Sequence, residues 1–144
     1  MKIIIDTNVR ISGLLWGGAP NHILKLCRNG VIRILECDET LEEVKSVLQY
    51  PKFSDRFSAL GTTAIEVFSY FMNLATYVSS PKTIPDIIKQ DPFDNIFLGL
   101  APENNASLIV SGDRHLLEFE SYRGIQIVTP SEGVNVISNI IKKC

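Results

Sequence analysis

Residues 91–113, DPFDNIFLGLAPENNASLIVSGD, constrain the fold more than any other stretch of the chain. They read as a helix entry, a helix, a loop, a buried strand and a turn. SLIV at 107–110 is a short aliphatic run bounded by turn residues, the pattern of a strand covered on both faces. KIII at 2–5 has the same grammar and runs straight into Asp6. Strands of this kind, alternating with helices, predict an α/β fold: a parallel sheet with helices on both faces. In such sheets ligands sit beyond the carboxyl ends of the strands, where the strand order reverses. Asp6 and Asp113 each follow a predicted strand almost at once, so neighbouring strands would bring them to one crevice.

The rest of the chain fits that scheme. A helix is predicted from Thr7 through TNVRISGLL, broken at Gly17-Gly18, and a second from Pro20 to a stop at Gly30. VIRILE at 31–36 is a strand. An amphipathic helix at 39–49 presents Leu41, Val44, Val47 and Leu48, and Pro51 ends it. Residues 52–60 read as a polar connector. The helix at 62–75 is apolar on most sides, which predicts burial or a homodimer interface. YVSS adds a short strand, 81–90 is a proline-bearing loop, RHLLEF a turn and QIV a last strand. Thr129, Pro130 and Glu132 form a capping box that opens the final helix.

Length and composition narrow the class. A chain of 144 residues fits one domain, 1–144, with a full core. No apolar run approaches the ~20 residues that span a membrane. MKIIID lacks the pattern of a signal peptide, so a cytoplasmic location is expected. Cys27, Cys37 and Cys144 are widely spaced and offer no zinc pattern. A net charge of −2 argues against indiscriminate nucleic-acid binding but is compatible with an acidic nuclease centre.

The acids are the candidate chemistry. Asp6 could cap the first helix. Asp91 has a sufficient structural role as a cap before Pro92, while Asp94 lies at the flank of the Phe93, Ile96, Phe97 and Leu100 stripe and can face a crevice. Glu42 falls on a solvated face with Lys45, whereas Glu43 sits at the stripe's edge, making Glu43 the better site candidate despite a capping alternative from Thr40. Asp113 ends a strand. Converging carboxylates repel one another unless neutralised, and hard oxygen donors suit Mg²⁺ or Mn²⁺. His22 has no partner in sequence and is expected to be structural or exposed.

These residues resemble the PIN-domain family of metal-dependent ribonucleases, most strongly its toxin–antitoxin subgroup, over essentially the whole chain. The marks are IIIDTNV at 3–9, ISGLL at 11–15, LEEVKSVLQYPKF at 41–53, DPFDNIFLGLA at 91–101 and LIVSGDRHLL at 108–117. DTN alone is weak, and the ordered set is specific. The resemblance implies a three-layer α/β/α sandwich with a parallel sheet of about five strands. It carries the family's catalytic acids onto Asp6, Glu43, Asp94 and Asp113, with Asp6, Asp94 and Asp113 as metal ligands. Thr7, Asn8 and Ser111 become supporting residues and Asp91 an extra acid. It further implies an RNA substrate, a Mg²⁺ or Mn²⁺ cofactor and a cognate antitoxin. Lys52, Arg56 and Arg114 are candidates for phosphate contacts, and His115 stands where many relatives have an acid or hydroxyl. Pro102 departs from the pattern and predicts a helix ending or kinking near Ala101.

Two other classes were weighed. A Mg²⁺-binding receiver-type signalling module wants an acidic pair after the first strand and a late lysine, and neither is present. A catalytically silent PIN-like binding protein is disfavoured by the full acidic set.

Overall fold

The computed structural model describes residues 1–143. The first strand, β1 (Lys2–Ile5), leads into α1 (Thr7–Leu15) and α2 (Ala19–Arg28). Then come β2 (Arg33–Glu36), α3 (Asp38–Leu48), a 3-10 turn at Pro51–Phe53, α4 (Ser54–Leu60), α5 (Ala64–Leu74) and β3 (Thr76–Tyr77). After a long strap, a second 3-10 turn at Pro92–Asp94 feeds α6 (Asn95–Glu103) and β4 (Leu108–Val110). The chain ends with α7 (Arg114–Leu117), β5 (Ser121–Tyr122), β6 (Ile125–Val128) and α8 (Pro130–Lys142).

The sheet has the order β3-β2-β1-β4-β6-β5. All neighbours are parallel except β5, which pairs antiparallel with β6. It therefore has six strands rather than about five; the addition is the two-residue edge strand β5, too short to show as a pattern. Beside β1 the order reverses: β2 and β3 extend to one side, β4 and β6 to the other. Ile5 stands opposite Val110, and the Asp6 N–H donates to the Val110 carbonyl at 3.0 Å. The residues after β1 and β4 are thus locked side by side at the switch point.

Alternation along β1 divides the core. Ile3 and Ile5 face a layer built from α1, α2, α3, Phe71 of α5 and Ile137 of α8. Ile4 faces the opposite layer, dominated by α6. From Asn95 to Ala101 every residue of α6 is buried, as expected of a helix apolar all round. Its outer side is covered by the strap. Asn95 Oδ1 accepts from the Ile87 and Ile88 N–H groups, and its Nδ2 donates to the Ile88 and Pro92 carbonyls. Glu103 accepts from the N–H groups of Lys82 and Thr83. Gly99 lets the strap approach: a Cβ there would stand 2.7 Å from the Thr83 carbonyl oxygen. No helix of the described residues is long and apolar enough to cross a membrane.

Three local expectations are corrected. The supposed connector 52–60 is a 3-10 turn and α4, because Phe53 and Phe57 at helical spacing bury themselves among polar neighbours. The apolar helix at 62–75 is not largely buried: α5 buries Phe71 and exposes Ile65, Tyr70 and Met72. The helix also runs through Pro102 to Glu103. Proline in this last turn removes only one donor, and the carbonyls just before it find partners past it: Leu100 accepts from both the N–H and Nδ2 of Asn104, and Ala101 accepts from the Ala106 N–H.

Candidate metal centre

Two extended corners build the site floor. At the first, Asp6 is buried and caps α1, with Oδ1 accepting from the Val9 N–H at 2.9 Å. Its Oδ2 accepts from the Ser111 hydroxyl and from the Gly112 N–H. At the second, Ser111 Oγ accepts from the Asp113 N–H at 2.9 Å, and Asp113 Oδ1 accepts from the His115 N–H at 2.8 Å. Ser111 therefore couples Asp6 to Asp113. Burial pushes the Asp6 carboxyl up, opposed by these hydrogen bonds and by the nearby Arg10 cation.

Asp94 enters from the other side, at the junction of the Pro92–Asp94 turn and α6. It is buried, at 6% exposure. Its carboxyl is pushed up to about 8, first by burial and then by the charges of Asp91, Asp6 and Asp113. Single oxygens of Asp91, Asp94 and Asp113 lie within 4.8 Å of one another. Two ligands of a Mg²⁺ ion stand at most ~4.2 Å apart, so a slight closure would let all three reach one ion. The donor set, hard and unneutralised, fits a divalent cation.

This geometry revises the roles of two acids. Asp91 makes no side-chain capping bond and belongs to the tight carboxylate group. The turn at Pro92–Asp94 is 3-10, and the true helix begins only at Asn95, so the cap geometry assumed for Asp91 is not formed. Asp6, expected as a metal ligand, is not in that group; both of its oxygens are engaged by hydrogen bonds.

Glu43, half-buried on α3, lines a cleft of about 340 Å³ together with Asp6, Thr7, Asn8, Asp91 and Asp94. Glu42 is exposed and outside that cleft, as its helical position predicts. Thr7 Oγ1 accepts from Arg10 Nη2 at 2.8 Å, while Asn8 is exposed at the rim. His22 is exposed.

Sequence reasoning missed what stands behind the site. Arg10 is fully buried and its Nη1 meets Glu36 Oε1 at 2.5 Å. The same nitrogen donates to the Thr40 carbonyl, Nε donates to the Asp6 carbonyl, and the guanidinium lies 5.3 Å from the Phe97 ring centroid. One side chain thus ties the β1–α1 corner to the start of α3. The available signal was a pair of opposite charges, each set in an otherwise apolar segment.

A parallel sheet whose switch point carries a carboxylate cluster beside an open cleft defines an α/β protein equipped for divalent-metal chemistry. The sequence profile described as PIN domain matches residues 2–115, and the chain belongs to that family. PIN domains are generally metal-dependent nucleases. No curated protein matches the chain significantly.

Proposed function

We propose that the protein is a Mg²⁺- or Mn²⁺-dependent endoribonuclease, the toxin of a toxin–antitoxin pair. The observation that carries the catalytic part is the meeting of Asp91, Asp94 and Asp113 within 4.8 Å, with the Asp94 carboxyl pushed up to about 8 by burial and then by the neighbouring carboxylates. A divalent ion there supplies an acidified water and offsets negative charge on a phosphodiester. Asp91, Asp94 and Asp113 hold the ion. Asp6 orients the Ser111–Asp113 corner through its hydrogen bonds and adds negative charge beneath the cluster. Glu43, in the same cleft, positions the attacking water.

RNA as the substrate and an antitoxin as the partner rest on the ordered motif set described above. The exposed Ile65, Tyr70 and Met72 of α5 support a homodimer.

The test is cleavage of a labelled single-stranded RNA by purified protein in Mn²⁺, with Asp94→Asn and Asp113→Asn compared after circular dichroism has shown both folded. Metal-dependent cleavage lost in both variants is expected. Full cleavage by folded Asp94→Asn protein would sink the assignment. Growth arrest on expression of wild type, absent with Asp94→Asn, tests the toxin reading separately.

A further inference from the structure

The cleft has a second wall that the acids do not account for. Trp16, the chain's single tryptophan, lines it at 44% exposure, and Tyr50 lines it at 46%. Other large apolar side chains of this protein are as exposed, but these two rings share a cleft with the acids.

The Trp16 ring is held, not loose. Its backbone is extended after α1, with its N–H donating to the Ser12 carbonyl at 2.9 Å. Phe53, itself buried, meets it edge-on with centroids 6.0 Å apart. Arg56 places its guanidinium 5.5 Å from the Trp16 centroid and is anchored by its Nε donating to the Leu15 carbonyl at 2.6 Å. Lys52 sits 5.2 Å from the Phe53 centroid and lines the same cleft. The outcome is an aromatic surface edged by two cations, facing a carboxylate cluster across one cavity.

Resting on the nuclease reading above, we infer that Trp16, with Tyr50, is a stacking platform for an unpaired base of the substrate strand. Lys52 and Arg56 contact the adjoining phosphates. Aromatic side chains interleaved with cations are the physical means of gripping single strands, because every base has a π-face while the backbone carries charge. A duplex keeps its base faces stacked and cannot use the platform. The cations also argue for a polyanion over an apolar protein segment, and they offset the repulsion the acids would exert on it. The cleft's volume of about 340 Å³ suits a single nucleotide, not a docked helix.

Trp16 makes the test direct, since its own fluorescence reports on the site. Folded Asp94→Asn protein in EDTA is titrated with a ten-nucleotide single-stranded RNA, the same RNA as a duplex, and an abasic strand of equal charge. Quenching by the single strand, much weaker for the duplex and the abasic strand, is expected. By fluorescence anisotropy of labelled RNA, Trp16→Ala should weaken binding about ten- to a hundredfold, and Trp16→Phe should recover most of the loss. In wild-type background, Trp16→Ala should raise KM with kcat little changed. Equal quenching by the abasic strand, or Trp16→Ala binding like its parent, overturns the platform. Because binding is read in a cleavage-dead protein without metal, that failure is distinct from failure of the nuclease reading, which would appear as wild type without cleavage. Growth of the Trp16→Ala strain relieved only through altered binding of a protein partner, with RNA affinity intact, would likewise overturn it.

Discussion

Replacing Arg10 by methionine would strand Glu36 in the core. Both side chains are at most 1% exposed, and Glu36 Oε2 already has no hydrogen-bond partner among the described residues. Burial pushes the Glu36 carboxyl up, and Arg10 is the main influence pulling it down. Without that cation two outcomes compete. An ionised, unpaired Glu36 costs about 3–5 kcal/mol. A protonated one avoids that but must hold a proton the unfolded chain, with its ordinary value of 4.5, has released. The second cost starts from nothing near 4.5 and grows by about 1.4 kcal/mol per pH unit, so protonation is the cheaper route in mildly acid solution and the two costs converge above neutrality. The folded carboxyl is raised, so the stability of Arg10→Met is fullest below 4.5 and is lost as pH rises toward the folded value. Between pH 5.5 and 7.5 that loss is at most about 2.7 kcal/mol, the limit for a carboxyl that stays protonated throughout. The control is Arg10→Met with Glu36→Leu, which fills the space without a charge. Asp94 titrates in both proteins and cancels in their difference. Urea unfolding followed by circular dichroism in EDTA, at those two pH values, gives the numbers. The double variant should gain on the single one more at pH 7.5 than at 5.5, by up to about 2.7 kcal/mol. A pH-independent difference, or a single variant as stable as wild type, would refute the reasoning.

Asp94, raised from 3.8 to about 8, makes a related prediction for the metal-free protein. Its neutral form is the one the fold favours, so stability present at acid pH is lost as pH climbs through about 8. Scanning calorimetry in EDTA should show Tm falling between pH 5 and 8 and levelling off above, with Mn²⁺ or Asp94→Asn flattening the slope; an unchanged slope in the variant would contradict this. Gly99→Ala drives a methyl against the Thr83 carbonyl oxygen at 2.7 Å and Pro81 Cβ at 3.1 Å, lifting the strap from α6 at a cost of about 1–3 kcal/mol. Gly17→Ala, with nothing within 4 Å of its added carbon, should leave urea stability unchanged.

The sheet was readable where its strands are continuous aliphatic runs. KIII and LIV pair directly in the structure, and Asp6 lands beside Val110 as that pairing requires. Register and strand order were not readable, because the central strands β1, β2 and β4 are buried on both faces and carry no in–out pattern to fix their neighbours. Glu43 could be separated from Glu42 by helical phase alone, since α3 is regular and amphipathic. Asp91 could not be assigned the same way. DPFD has a capping signature whether the chain enters an α-helix or a 3-10 turn, and only the turn's geometry frees the carboxylate. Asn95 and Arg10 were hidden for a different reason. Asn95 binds backbone groups of the strap, which side-chain patterns do not show, and Arg10 pairs with Glu36 on β2, a link that two isolated charges in apolar segments only suggest.

The division of labour among the acids follows from where their oxygens are already committed. Asp6 sits deepest and accepts three hydrogen bonds, from Val9, Ser111 and Gly112. To ligate an ion directly it would have to share oxygens that currently fix the α1 cap and the Ser111 corner. Asp91 stands at the opposite extreme, exposed and without a capping bond. Asp113 gives one oxygen to the His115 N–H. Asp94 is pushed up to about 8 by burial and by three neighbouring carboxylates. A cation bound at this centre would relieve that repulsion at Asp94 by taking the place of a proton. Asp91 and Asp113 close around it, while Asp6 contributes its charge from beneath. Asp6→Asn would then weaken metal affinity less than Asp94→Asn does. The amide oxygen keeps the Val9 N–H bond and its NH2 can donate to Ser111 Oγ, but it also faces the Gly112 N–H, so circular dichroism checks first that the β1–α1 corner is folded. Calorimetric Mn²⁺ titration of the two variants ranks them, and equal loss in both would place Asp6 among the direct ligands instead.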